Sequence, residues 1–167
     1  MALSHFLRNG KRLFCPSQHM WIRAKDTLAG NYILEVGLTK RGVEDIGDVS
    51  SILLERDPDE SFNEGADLLR IKWEGHSITA ADELYHTAWE SIDGVTKLKS
   101  PVAGTIKSTD IGNPWIDADD YLLRIAASEK SIADAFPKLM DEEAYNEFVQ
   151  RLAPGRFSES DHQSALA

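Results

Sequence analysis

The hydrophobic pattern of this chain changes period once, and that change constrains the fold most. Before residue 128, short runs rich in β-branched and aromatic residues alternate with glycine and proline, a pattern typical of strands joined by turns. The predicted elements there are strands at 31–38, within 43–57 after a short helical turn, at 66–75, at 105–108 and at 121–127, and a short helix at 77–86. From Asp141, apolar residues recur at helical spacing, with Asp141 as the predicted N-cap and Pro154 as the stop. We therefore predict one mainly β domain that ends in a helix.

A second local signal lies at Asp93-Gly94, between two strand-like runs. This dipeptide favours a tight type I′ turn, because both central residues of such a turn need positive φ. The turn predicts a hairpin over 87–99 in which Glu90 faces Lys97 as a cross-strand ion pair.

The charge distribution bears on the class of partner. The chain has 167 residues, of which 42% are hydrophobic, which suits one domain with a core. Its formal net charge is −10, yet residues 1–25 carry +5 and the remainder carries −15. An acidic body repels nucleic acid, because affinity for a phosphate backbone depends largely on Lys and Arg. The composition therefore favours proteins over RNA or DNA as partners.

The first residues form a basic segment. Leu3, Phe6 and Leu7 recur at helical spacing among Lys and Arg, with no acidic residue before Asp26, which is typical of a mitochondrial or plastid transit segment. The alternative is an ordinary basic arm. The chain is thus divided into an arm or transit-like segment over 1–18, a domain over 19–153 and a flexible tail over 154–167.

Other candidate sites in the sequence are weak. Cys15 is the one cysteine and cannot form an internal disulfide, which favours a reducing compartment. Cys15 and His19 are four apart but lack the further ligands that zinc usually takes. The loop over 57–63 alternates oxygen-bearing side chains, but Phe62 stands where a calcium loop needs glycine. No nucleophile–base pair and no apolar run of the roughly 20 residues that span a membrane is present. The sequence predicts no enzyme activity, no metal and no membrane span.

One block of residues carries a family resemblance. Residues 90–93 read Glu-Ser-Ile-Asp, and residues 100–104 follow as Ser-Pro-Val-Ala-Gly. The block resembles the lipoyl region of the glycine cleavage system H protein family, which has Glu-Ser-Val-Lys and then Ser-Pro-x-x-Gly at the same distance. Further segments resemble that family in the same order, at 19–22, 36–39, 45–49, 119–125 and 143–145. The resemblance implies a barrel-sandwich hybrid of two small antiparallel sheets, with a modified hairpin at one end and a C-terminal helix.

The chain departs from the family at the cofactor position. Asp93 stands where the resemblance places the lipoyl lysine, and an aspartate has no amine with which to form the amide. Lys97 is a poor substitute, since it lies down the return strand, away from the predicted turn. An insertion relative to the family lies at about 66–87. The departures imply a domain without a cofactor, in which Asp93 marks a degenerate lipoyl position.

These observations predict a non-catalytic, H-protein-like subunit that binds other proteins in a mitochondrial assembly, such as a respiratory-chain complex on the matrix side. The plastid is the alternative compartment. Trp73 and Trp115 lie in the altered segments and are candidate partner contacts. Two alternatives remain open: a lipoate-carrying H protein that uses an unexpected lysine, and a regulator that docks on glycine decarboxylase or a lipoate ligase without receiving cargo.

Overall fold

A computed structural model describes residues 2–81, 87–112 and 115–157. Over these residues the chain forms nine strands, four α-helices and one short 3-10 helix. In chain order the strands are β1 Leu13–Cys15, β2 Met20–Leu28, β3 Asn31–Leu38, β4 Asp48–Leu54, β5 Ser61–Phe62, β6 Asp67–Ala81, β7 Thr87–Lys99, β8 Gly104–Thr109 and β9 Leu123–Ala127. The helices are α1 Leu3–Asn9, α2 Lys40–Glu44, α3 Glu129–Ala135 and α4 Glu142–Gln150, with the 3-10 helix at Phe136–Lys138.

The strands form two antiparallel sheets. Sheet A has the order β1-β2-β3-β9-β8-β5, and sheet B has the order β4-β6-β7. Buried side chains of both sheets meet in one core cluster. Sheet A contributes Leu34 and Ile125 and sheet B contributes Leu69 and Ile71, all of which are 0% exposed. This arrangement confirms the predicted mainly β class with two antiparallel sheets and a C-terminal helix, and it agrees with a barrel-sandwich fold.

Helix α4 covers the outer face of sheet A. Tyr145 on α4 forms a second buried cluster with Phe14 and Trp21, and its ring stacks on that of Phe14 with centroids 4.7 Å apart. Asp141 caps the helix as predicted, since its Oδ1 accepts a hydrogen bond of 2.8 Å from the Ala144 amide. Because sheet A is covered on both faces, β3 is buried along most of its length and lacks polar–apolar alternation.

The basic N-terminal segment is part of the fold. The predicted helical spacing corresponds to α1, which ends at Gly10 with a positive φ of 67°. Phe6 is 0% exposed within the core cluster, and Leu3 and Leu7 pack against that cluster. The arm therefore contributes an aromatic side chain to the core.

Strands β6 and β7 differ most from the sequence predictions. They pair from Leu69↔Leu98 to Ala81↔Thr87 as one long hairpin. The predicted helix at 77–86 is wrong over 77–81, which belong to β6, and residues 82–86 lie outside the described residues. The inserted segment at about 66–87 therefore supplies β6.

The last described residues still pack on the domain. Residues 154–157 belong to the expected flexible tail over 154–167. Gly155 is buried, and Phe157 packs against the core cluster. The rest of that tail, residues 158–167, lies outside the described residues.

Candidate functional site

The block that resembles a carrier site lies on β7 and in the segment after it. Asp93 and Gly94 lie in the middle of β7, opposite Glu74 and Trp73 of β6. The predicted type I′ turn, and with it the predicted hairpin within 87–99, is therefore wrong. β6 is a partner strand of 15 residues, and it satisfies backbone groups along β7 that a local hairpin would pair differently.

Glycine at residue 94 is required by the packing of a side chain against β7, and not by a turn. A Cβ atom at Gly94 would lie 2.1 Å from a ring carbon of Trp73, so only glycine lets the indole lie against the backbone of β7. The Trp73 Nε1 donates a hydrogen bond of 3.1 Å to Thr96 Oγ1. Trp73 is 4% exposed, which places this candidate partner contact in the core of the folded chain.

The chain beyond α4 returns to cover Trp73. The Phe157 ring packs edge-on against it with centroids 5.5 Å apart, and the Arg156 guanidinium lies 5.1 Å from the indole centroid. The Phe157 amide donates a hydrogen bond of 2.7 Å to the carbonyl of Glu44. A Cβ at Gly75 would lie 2.3 Å from the Phe157 ring. Phe157 and Arg156 thus cover the inner face of the hairpin at Trp73 and Gly75, next to Gly94.

Lys97 lies within β7, opposite Arg70. Its Nζ is 3.8 Å from Asp67 Oδ2, and its side chain is 49% exposed. Glu90, the predicted partner of Lys97, instead lies opposite Ser77 in the strand register. The predicted Glu90–Lys97 pairing within one chain is therefore wrong, and the side chain of Glu90 lies outside the described side chains.

The other lysines are also away from the end of this hairpin. All nine lysines of the chain belong to described residues: Lys11, Lys25, Lys40, Lys72, Lys97, Lys99, Lys107, Lys130 and Lys138. Residues 82–86, which connect β6 to β7, read Asp-Glu-Leu-Tyr-His and contain no lysine. A lysine at the hairpin connection is thus absent from the sequence itself.

The Ser-Pro-Val-Ala-Gly segment after β7 does turn the chain, as the sequence predicts. The Ser100 amide donates a hydrogen bond of 2.8 Å to the Ala66 carbonyl, and the Ser100 hydroxyl accepts one of 3.3 Å from the Val102 amide. A Cβ at Gly104 would lie 2.3 Å from the carbonyl oxygen of Ala126. This part of the resemblance has a structural cause that needs no cofactor.

A polar network joins the first and last segments of the resemblance. His19 Nδ1 lies 2.7 Å from the Tyr145 hydroxyl, which lies 2.8 Å from Thr39 Oγ1. His19 has a positive φ of 51°, a strained value for a residue other than glycine. The sequence showed only scattered histidines, because residues 126 positions apart leave no spacing signal.

Burial shifts both titratable groups of this network. Burial lowers the pKa of His19 below its ordinary value, nearby Asp45 opposes that shift and nearby Arg41 adds to it. Burial raises the pKa of the Tyr145 hydroxyl, and the hydrogen bond with Thr39 partly offsets the rise. Near neutral pH the network therefore holds a neutral imidazole and a neutral phenol, which suits a structural link between α4 and sheet A.

A second polar group, for which the sequence patterns gave no prediction, is Glu35 on β3. It is 2% exposed, and its carboxylate contacts Arg23 at 2.7 Å and Arg124 at 3.0 Å on the two neighbouring strands. Burial acts to raise the pKa of Glu35. The hydrogen bonds from both arginines, and their positive charges, act to lower it and together outweigh burial, so the net shift is downward. The one signal for this group was an acid inside the apolar run of residues 31–38.

The remaining candidates are placed as follows. Trp115 is 81% exposed and stays a candidate for partner contact. Within the described part of the chain, no group of three or more His, Cys, Asp or Glu side chains is placed to hold a metal ion. None of the helices over residues 2–81, 87–112 and 115–157 combines the length and apolar character needed to cross a bilayer.

Comparison with known proteins adds one relative. The chain is 29% identical over 143 residues to the glycine cleavage system H protein of Parvibaculum lavamentivorans, a match that covers 81% of this chain and 93% of that protein. The similarity supports an H-protein-like family. No family model matches the chain, and no solved structure matches it.

Proposed function

We propose that this H-protein-like chain carries no lipoate and acts as a structural or protein-binding subunit of a larger assembly. The observation that supports this most is the position of its lysines. Lipoate is joined through an amide to a lysine amine, and the resemblance places that lysine at a hairpin turn. Here the hairpin connection over 82–86 has no lysine, and Asp93 stands where the resemblance places the family lysine.

The surroundings of Asp93 also disfavour a carrier. Asp93 lies in the middle of β7 opposite Glu74, where the backbone is held by β6. A long arm attached here would leave from the side of a sheet, and the inner face next to it is occupied by Phe157 on Trp73. Lys97 is also held within the strand, so it lacks the exposed turn that the resemblance associates with modification.

The proposed compartment is the mitochondrial matrix, with the plastid as alternative, and the proposed assembly is a multi-subunit complex such as a respiratory-chain complex. Support comes from the basic, acid-free segment over 1–25. Because Phe6 is fully buried, removal of this segment would take a side chain out of the core. We therefore propose that the segment is retained in the working protein. The acidic body and exposed Trp115 suit contact with proteins.

The direct test is the intact mass of the protein purified from its native source. We expect the mass of the unmodified chain, whereas a lipoyl adduct on any lysine would overturn the proposal. As a control, the chain and the Parvibaculum lavamentivorans H protein are incubated separately with a lipoate ligase, lipoate and ATP. We expect the H protein to be loaded and this chain to remain unmodified.

The second candidate is a lipoyl-carrying H protein, which the distant sequence similarity favours. Loading of Lys97 or Lys99 in the same reaction would support it. The third candidate, a regulator without cargo, predicts that native protein co-purifies with glycine decarboxylase or a lipoate ligase. Co-purification with neither enzyme, together with recovery of other partners, would exclude the regulator and support the assembly subunit.

A further inference from the structure

Strand β7 is an unusually long edge. It pairs with β6 on one side, and among the described residues no strand pairs with its other side. It has 13 residues, against a typical strand of about 5–6. Its register with β6 runs without irregularity from Leu98 to Trp89. Proteins usually protect such edges with short strands, bulges or proline, since exposed backbone groups accept a further strand. From Trp89 to Leu98, β7 has no bulge and no proline, and its charged side chains Asp93 and Lys97 are of opposite sign.

The outer face beside this edge is ordered by charge. Lys97 of β7 lies opposite Arg70 of β6, and we call this cross-strand pair the cationic row. Asp93 of β7 lies opposite Glu74 of β6, and we call this pair the anionic row. Val95 lies between the two rows on β7 and is 54% exposed. Directly opposed like charges destabilise an antiparallel pair, so each row favours a neighbour of opposite sign.

The order of these residues is complementary to itself. Asp93 and Lys97 stand two positions before and after Val95, so all three share the outer face of β7. A two-fold axis perpendicular to the sheet at Val95 would place Val95 opposite Val95 of a second copy. It would also place each Asp93 opposite Lys97 of the other copy. On the inner face, Ile92 would lie opposite Leu98 of the second copy.

We propose that β7 pairs antiparallel with β7 of a second copy of this chain, centred on Val95, so that the two three-stranded sheets B join into one sheet of six strands. This pairing satisfies the free backbone edge of both copies and covers two exposed valines. It brings each cationic row against the anionic row of the other copy. It requires neither a lipoyl group nor its absence, so it stands apart from the proposed function.

Contacts within one chain leave Lys97 available for this pairing. Arg70 is already close to Glu55, with an N–O distance of 2.7 Å, whereas Lys97 is 3.8 Å from the Asp67 carboxylate. A lysine ammonium has three donors, so it can contact a second carboxylate without losing the first. Asp93, by contrast, faces Glu74 within its own chain, with Lys72 as a diagonal neighbour, and the second copy would bring Lys97 directly opposite it.

The test is a charge exchange read by sedimentation velocity. The unaltered chain should show a concentration-dependent monomer–dimer equilibrium that weakens as salt is raised, because salt screens exposed ion pairs. Asp93→Lys and Lys97→Asp should each raise the dimer dissociation constant about tenfold or more, since each replaces two attractions with two repulsions. The double variant Asp93→Lys/Lys97→Asp should restore dimerisation, because the exchanged charges again oppose each other.

Lys130→Asp is the matched control, since it makes the same charge change on helix α3 and should leave the equilibrium unchanged. Circular dichroism checks that each variant is folded. A chain that is monomeric at every concentration would overturn the proposal. So would a dimer that both single variants leave intact, or one that the double variant fails to restore.

A cross-linking experiment tests the register in a Cys15→Ser background. Val95→Cys should form a disulfide dimer on mild oxidation, because directly opposed residues bring their Cβ atoms near the separation a disulfide needs. Asp93→Cys alone should not, since the two copies of residue 93 would be about 13 Å apart along the strands. A mixture of Asp93→Cys and Lys97→Cys chains should cross-link. Efficient cross-linking of Asp93→Cys alone would overturn the register.

Discussion

The two glycine-bearing segments of the resemblance block behave differently. Asp93-Gly94 and the Ser-Pro-Val-Ala-Gly segment both predict turns, yet only the second turns the chain. The second segment is held by Ser100 and its contacts with Ala66 and Val102, which are specific to a turn at that place. Asp93-Gly94 has a strand partner on β6 and an indole beside its glycine. A short-range turn signal therefore fails where a long partner strand and a packing need compete with it.

The largest expected effect comes from removing the Trp73 indole. Its packing against β7, and not a turn, explains the glycine at residue 94. Trp73→Ala should lower the free energy of unfolding by about 3–5 kcal/mol, because it removes a large buried aromatic side chain. Denaturant unfolding measures this. Trp115→Ala is the control and should change stability by less than about 1 kcal/mol, since Trp115 is 81% exposed. Equal losses for both would show that Trp73 is not part of the core.

The two glycines provide the next comparison. Gly94→Ala should destabilise the fold by about 1–3 kcal/mol, because the new methyl group overlaps the Trp73 ring. Gly104→Ala should cost more, since its methyl group would meet the fixed carbonyl of Ala126. Gly112→Ala is the control, because a Cβ there meets nothing within 4 Å. A neutral Gly94→Ala variant would show that the Trp73 ring does not need the space beside residue 94.

A smaller effect is the pH dependence of stability that comes from His19, which lies outside the β6–β7 hairpin. Burial lowers the folded-state pKa of His19, so the unfolded chain binds the proton more readily. The stability that His19 contributes is present above the unfolded pKa of about 6.5 and is lost as the pH falls towards the lower folded pKa. Thermal unfolding between neutral and mildly acidic pH measures this loss.

His19→Asn is the matched variant for that measurement. Asparagine tolerates the positive φ at this position and does not titrate there, so the variant should lose this part of the acid sensitivity. An unchanged pH profile in His19→Asn would assign the acid sensitivity to another group.

The smallest expected effect is at Asp93. Asp93→Asn removes one of the two like charges that face each other across β6 and β7, and it should raise the thermal midpoint slightly. The measurement is made at low protein concentration, where the monomer dominates. Asp93→Glu keeps the charge and should not show the increase. A marked loss of stability in Asp93→Asn would give Asp93 a structural role that its exposed position in β7 does not indicate.

Much of the architecture was accessible from local patterns. The run at 31–38 corresponds to β3, and Asp141 caps α4 as its spacing predicts. These predictions hold because a cap and a regular hydrophobic period are set by neighbours in the chain. The helix predicted at 77–86 fails over 77–81 and the turn at Asp93-Gly94 fails, because both stretches belong to β6 and β7, which pair with each other as one long hairpin.

Some features of the candidate site likewise follow from the sequence, and others from the folded chain. The sequence alone shows that residue 93 is an aspartate and that residues 82–86 contain no lysine. The cover that Phe157 forms on the inner face of the hairpin required the folded chain, because Phe157 and Trp73 are distant in sequence and meet only where the chain beyond α4 reaches sheet B. The buried carboxylate of Glu35 likewise became interpretable once Arg23 and Arg124 were placed on neighbouring strands. Residue identity limits which chemistry is possible, whereas burial and pairing depend on contacts between residues that the chain order keeps apart.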